Sequence, residues 1–164
     1  MSATKKPKSH HARTRPDVEF KEQSLIPEQE PSLDPNKSFP SGHSTIAWAV
    51  ALMLVEINPD AQNEILKRGY EYGESRVIAG VHYESDVNMA RLVASAAVAR
   101  LHADDEFLKA MAAARKEYRK IIDSKSKKDK KDKNIVQQPS RKTKTESKSG
   151  KSDSKAGLIG KNKL

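Results

Sequence analysis

Between Ser75 and Asp86 the chain reads Ser-Arg-Val-Ile-Ala-Gly-Val-His-Tyr-Glu-Ser-Asp, which puts a guanidinium, an imidazole and a carboxylate in one short segment. Asp86 follows His82 by four positions. A helix starting near His82 would therefore set both side chains on one face and let the carboxylate hold one ring nitrogen. The other nitrogen is then free to attack an electrophile or to accept a proton. Arg76, on the last turns of a preceding helix, offers a planar fork of donors to an oxyanion held against that imidazole. Alone, the segment fits two readings, because a histidine near a helix end is more often a hydrogen-bonded structural residue than a catalyst.

Two earlier stretches carry matching chemistry. Phe39-Pro40-Ser41-Gly42-His43-Ser44-Thr45 stands directly ahead of the apolar run Ile46 to Val55. It reads as a helix start, with Ser41 as N-cap, Pro40 keeping the chain extended before it, and Gly42 allowing a bound group close to the backbone. Amides at such a terminus, here those of Gly42 and His43, suit a phosphate-like anion, although an ordinary capped helix accounts for the same residues. Further upstream, positive charge is concentrated from Lys8 through Arg13 and Arg15 to Pro16, in a segment that also fits a solvated linker.

The elements that must position these groups are helical. Residues 1–39 are polar and Pro-rich and read as mostly extended loop. A helix from about Gly42 to Ile57 is apolar almost all round and is expected to be buried. A second runs from Ala61 to about Gly80, with Ile65, Leu66, Gly69, Tyr70, Gly73, Val77 and Ile78 inward, the two glycines allowing close packing and Gly80 closing the helix. A third, from about Ser85 to His102, turns Val87, Ala90, Ala94, Ala97, Val98 and Leu101 inward. A fourth, from Asp104 to about Asp123, does the same with Phe107, Leu108, Met111, Ala114, Tyr118 and Ile121. His102 reads as a plain helix C-terminal residue.

Composition sets the outer limits. A chain of 164 residues with 35% hydrophobic and 5% aromatic content has a thin core for its length. Its net charge of +9 is not spread evenly: residues 124–164 hold fourteen Lys/Arg and four Asp/Glu, and residues 1–123 hold seventeen and eighteen. That tail reads as disordered, and without aromatic residues or a motif it gives no sign of specific nucleic-acid recognition. The expected organisation is a Pro-rich segment over 1–39, a helical core over 40–123 and a Lys/Ser-rich tail over 124–164. Cysteine is absent, which excludes disulfides, thiolate zinc sites and a cysteine nucleophile. The ten-residue run from Ile46 is too short to span a bilayer, and no apolar run follows the basic N-terminus.

Taken in order, Lys8, Arg15-Pro16, Pro40-Ser41-Gly42-His43, Ser75-Arg76, His82 and Asp86 resemble the three-part signature of the type 2 phosphatidic acid phosphatase superfamily. The chain looks most like its bacterial class A non-specific acid phosphatases over roughly Lys8 to Tyr118, helped by Glu56-Ile57-Asn58-Pro59 and the run from Gln62 to Glu71. The resemblance implies an all-α helical bundle of the acid phosphatase/vanadium haloperoxidase type, N-terminally truncated, since family members carry a helical region before the first motif. It also implies a metal-independent phosphomonoesterase without a cofactor. His82 would be the nucleophile forming a phosphohistidine, Asp86 its orienting partner, and His43 the acid for the leaving alcohol and later the base for water. Lys8, Arg15, Ser41, Gly42 and Arg76 would bind phosphate oxygens. Asp17 departs from the family pattern, which often has an apolar or aromatic residue after Arg15-Pro16.

Three other readings stand beside this one. A vanadate-dependent haloperoxidase would hold vanadate in the same place. A lipid-phosphate phosphatase is disfavoured by the lack of a membrane span. An inactive fragment would act only through its basic tail, on DNA or anionic membranes. A zinc site from His43, His82 and Asp86 is disfavoured by the surrounding arginines. The expected partners are small phosphomonoesters, with a homo-oligomer left open. The resemblance implies a periplasmic or secreted protein, whereas this chain taken as complete would be cytoplasmic.

Overall fold

The structure, a computed structural model, describes residues 3–136, with side chains described through residue 128. Six α-helices follow one another among these residues: α1 Lys5–His11, α2 Pro16–Phe20, α3 Gly42–Ile57, α4 Gln62–Ile78, α5 Glu84–Leu101 and α6 Asp105–Val136. Short 3-10 turns lie at Glu30–Ser32 and Pro59–Ala61. A first unit spans Met1–Lys127 and holds all the contacts discussed below; a second, Lys128–Leu164, is described only as helical backbone through Val136. The all-α class expected from the sequence is the one observed among the described residues.

Helix α3 is the hub, packing against both α4 and α5. Two glycines set the spacing. A Cβ on Gly69 would lie 2.7 Å from the Ala51 Cβ, and one on Gly73 would lie 2.8 Å from Val87 Cγ1. Both distances are closer than carbon atoms tolerate, so these α3–α4 and α4–α5 approaches depend on glycine. Gly80, at φ 79°, takes the left-handed conformation just after the α4 terminus. The core is correspondingly small in residue size: Ala51, Ala79, Val81, Val87, Ala90, Ala94, Val98 and Met111.

Several expectations need correction. The Pro-rich segment is not extended throughout. Pro7 sits in the first turn of α1 and Pro16 is the first residue of α2, positions where a missing amide leaves no helical bond unmade. Helix α6 runs past Asp123 to Val136, into the stretch expected to be disordered. The disorder expected beyond Val136 lies outside the described residues. Tyr70, Ile78, Leu101, Leu108 and Ile121, expected inward, are exposed. Tyr70 instead stacks under the Arg91 guanidinium, 4.2 Å from the ring centre.

The largest correction concerns α3. Ile46 is 67% exposed, and Val50 and Leu54 are exposed one and two turns further on. With Ile65 and Tyr72 of α4 they line an open groove of about 490 Å3 that begins at His43. The helix is apolar all round as the sequence says, but α4 and α5 cover only two of its faces among the described residues. At its far end Glu56 takes His102 Nε2 at 2.9 Å and Arg115 at 2.8 Å, tying the ends of α3 and α5 to α6. His102 also bonds the Val98 carbonyl, in keeping with its structural reading.

Candidate active site

Helix α5 begins at Glu84, so His82 is not on the helix but two residues ahead of it. The pair meets all the same. Asp86, in the first turn, reaches back to accept the Tyr83 amide at 2.9 Å, a capping bond that also brings its carboxylate to His82. His82 Nδ1 lies 3.3 Å from Asp86 Oδ2. Asp86 is wholly buried and His82 is 3% exposed.

On the other side of the ring, Arg15 Nη1 is 3.2 Å from His82 Nε2 and 2.9 Å from the Val81 carbonyl. A guanidinium has no acceptor, so Nε2 must present its lone pair to Arg15, and the ring proton of the neutral imidazole sits on Nδ1 facing Asp86. Burial, with the charges of Arg15 and Lys8, lowers the His82 pKa to about 4 against the support of Asp86. Burial also opposes ionisation of Asp86, but hydrogen bonds from His82, Ser38 and the Tyr83 amide, with the charge of Arg13, outweigh it and hold the carboxyl below 3.8. The pair is thus neutral imidazole and carboxylate across ordinary pH.

Cations surround it. Lys8, on α1, donates to the carbonyls of Lys37 and Ser38, and burial beside Arg15 lowers its pKa to about 8. Arg15 is buried and further anchored to the Asp34 carbonyl at 2.8 Å. Arg76 is 8% exposed and reaches only Gln29 Oε1, at 3.4 Å. Its Nε and Nη2 are buried with no partner among the described residues. Leaving charged donors unmet costs several kcal/mol on the usual scale, and a guanidinium that only donates is suited to an anionic partner.

The α3 terminus completes the cluster. Ser41 is buried; its hydroxyl accepts the Ser44 amide at 3.4 Å and pairs with Ser44 Oγ at 2.9 Å, capping the helix as expected. Its own amide donates to the Asp86 carbonyl at 3.1 Å, which locks the α3 start to the α5 start. Gly42 lies beside Lys8, whose Cε would be 3.9 Å from an added Cβ. His43 is held below 6.5 by partial burial and by the positive charges of Arg76, Arg15 and Lys8. All eight sequence-derived positions therefore gather in one region: Lys8, Arg15, His82 and Asp86 through direct or single-residue links, Ser41 and Gly42 through the α3 start, and His43 and Arg76 through the shared field.

Two further residues enter that the sequence reading does not single out. Arg13 Nη1 pairs with Asp86 Oδ1 at 2.9 Å, and Ser38 Oγ donates to Asp86 Oδ2 at 2.5 Å. Arg13 at least belongs to the basic stretch noted from Lys8 to Arg15. Ser38, a serine in a loop, carries no signal in the sequence.

Residues 2–107 match the model of the PAP2 superfamily, and the chain belongs to that superfamily. It is 48% identical over 119 residues to a non-specific acid phosphatase of Providencia stuartii, an alignment covering 73% of this chain and 48% of that protein. It is also 42% identical over 115 residues to a non-specific acid phosphatase of Salmonella typhimurium, covering 70% and 46%. An acid phosphatase of Zymomonas mobilis is 41% identical over 113 residues, covering 69% and 43%. The chain spans about half the length of the curated relatives it matches. No helix among the described residues is long and apolar enough to cross a membrane.

Proposed function

We propose that this chain carries the catalytic site of an acid phosphatase, hydrolysing small phosphate monoesters through a phosphohistidine on His82 without a metal. The observation that carries the reading is the buried Arg76 guanidinium with unmet donors, in a cluster where Arg15 touches the lone-pair nitrogen of His82. Phosphoryl transfer asks for cations and amides around the equatorial oxygens, an in-line nucleophile, and an acid at the leaving oxygen. Arg76, Lys8, the Ser41 hydroxyl and the amides of Gly42 and His43 take the oxygens. Arg15 turns its N–H from His82 to a phosphate oxygen as the anion enters.

His82 Nε2 then attacks phosphorus while His43 gives its proton to the departing alcohol. Asp86 accepts the Nδ1–H bond throughout and stabilises the positive charge that the ring gains. In the second half His43 takes a proton from water, whose oxygen displaces His82. The relatives' names as acid phosphatases support this class over a haloperoxidase. A periplasmic or secreted location goes with the same resemblance.

The test is an aryl phosphate assay with a chelator present, paired with trapping of an acid-labile phosphoenzyme from labelled substrate. The label is expected on His82, and His82→Ala is expected to abolish turnover. Full activity in that variant would overturn the assignment.

A further inference from the structure

The Asp86 carboxylate is shared. Its Oδ2 takes the Ser38 hydroxyl at 2.5 Å and the Tyr83 amide at 2.9 Å while facing His82 Nδ1 at 3.3 Å; its Oδ1 takes Arg13 Nη1 at 2.9 Å. Arg13 is itself held in place. It donates to Ser85 Oγ at 2.7 Å, and its guanidinium lies 3.9 Å from the centre of the Tyr83 ring, whose hydroxyl pairs with Glu19. Ser38 is fully buried, its amide bonds the Arg13 carbonyl at 3.0 Å, and its hydroxyl is also 3.3 Å from His82 Nδ1. Since a carboxylate only accepts, Ser38 gives its proton to Asp86 and presents its lone pairs to the imidazole N–H.

We propose that Arg13 and Ser38 are positioning residues of the His82–Asp86 pair: Ser38 fixes the plane of carboxylate and ring, and Arg13 draws part of the carboxylate's charge away from the imidazole. An acid that faced His82 alone would favour a charged ring. Paired to a guanidinium on its other oxygen, it still orients the ring but stabilises the imidazolium less. This keeps His82 unprotonated, and under the phosphatase reading it keeps a phosphorylated ring from resting too stably. The proposal deepens that reading and shares its site.

The charged groups acting on His82 are Lys8 from α1, Arg15 from the next loop and Asp86 from α5; Arg13 acts through Asp86. His43 of α3 and Arg76 of α4 belong to the same cluster. Arg13 and Ser38 touch the carboxylate through their side chains, on Oδ1 and Oδ2 respectively.

The experiment follows the ring resonances of His82 by NMR across pH in the full chain, alongside steady-state kinetics with an aryl phosphate. Arg13→Gln is expected to move the His82 titration upward by about half a pH unit or more, and Arg13→Lys to hold it near the parent value. Ser38→Ala is expected to lower kcat about tenfold with KM within about twofold. A His82 titration unmoved by Arg13→Gln in a folded sample overturns the role of Arg13. Unchanged kcat in Ser38→Ala overturns that of Ser38. Because the titration needs no turnover, an inactive parent whose His82 still responds to Arg13→Gln sustains the coupling and defeats the phosphatase reading alone.

Discussion

Arg15 donates to Nε2 of His82 across 3.2 Å while Asp86 stands 3.3 Å from Nδ1, so the two ring nitrogens face opposite charges. One relationship thus fixes the tautomer and leaves the lone pair on Nε2.

The pH dependence of turnover follows from the proposed mechanism. His82 must be unprotonated to attack, which sets an acid limb near about 4. His43 must be protonated to donate, and burial with the field of Arg76, Arg15 and Lys8 keeps its pKa below 6.5, which sets the alkaline limb. The expected kcat/KM profile is a bell with its maximum between those limits. A maximum above pH 7 would show that His43 is not the acid.

Stability is expected to carry the same signature. His82 titrates near 6.5 when unfolded and near about 4 when folded. Between those values the unfolded chain binds more protons. The stability present above about pH 6.5 is therefore lost as pH falls towards about 4, by as much as about 3 kcal/mol. Denaturant titrations at stepped pH should show this slope in the parent chain and a flatter one in His82→Asn. An identical slope in both would place the proton uptake elsewhere.

Glycine substitutions separate packing from anion binding. An alanine at Gly69 puts its Cβ 2.7 Å from the Ala51 Cβ, and the overpacking cost of about 1–3 kcal/mol outweighs the ~1 kcal/mol gained by alanine in a helix. Gly69→Ala should lower Tm. Gly42→Ala meets Lys8 only at 3.9 Å, so Tm should hold while inhibition by inorganic phosphate weakens. Equal effects of the two on Tm would contradict this division.

Much of this was legible in the sequence because it rests on local signals. Ser41 before an apolar run marks a helix cap, and Gly69 and Gly73 one turn apart mark close packing; both hold in the structure. Arg13 and Ser38 were not legible, since their importance comes from reaching Asp86 across 73 and 48 residues of sequence. The α1 and α2 helices were hidden by prolines, which break helices in general but are harmless in a first turn. The open face of α3 was hidden for another reason: periodicity reports which side chains are apolar, not whether a neighbour arrives to cover them.

The N-terminal segment has one more consequence. Its buried residues between positions 3 and 39 are Thr4, Arg15, Ser24 and Ser38, all polar, and it is stitched to the end of α4 by backbone bonds from Asp17 to Gly80 and from Leu25 to Ala79. With so little apolar surface to hold it, this segment belongs to the low-stability end of the molecule. Local opening there would carry off Lys8, Arg13 and Arg15 while α3, α4 and α5 stayed folded. Under the proposed function an anion held by Lys8 and Arg15 would be more than a substrate: by mass action it would act as the clasp that keeps the strap closed.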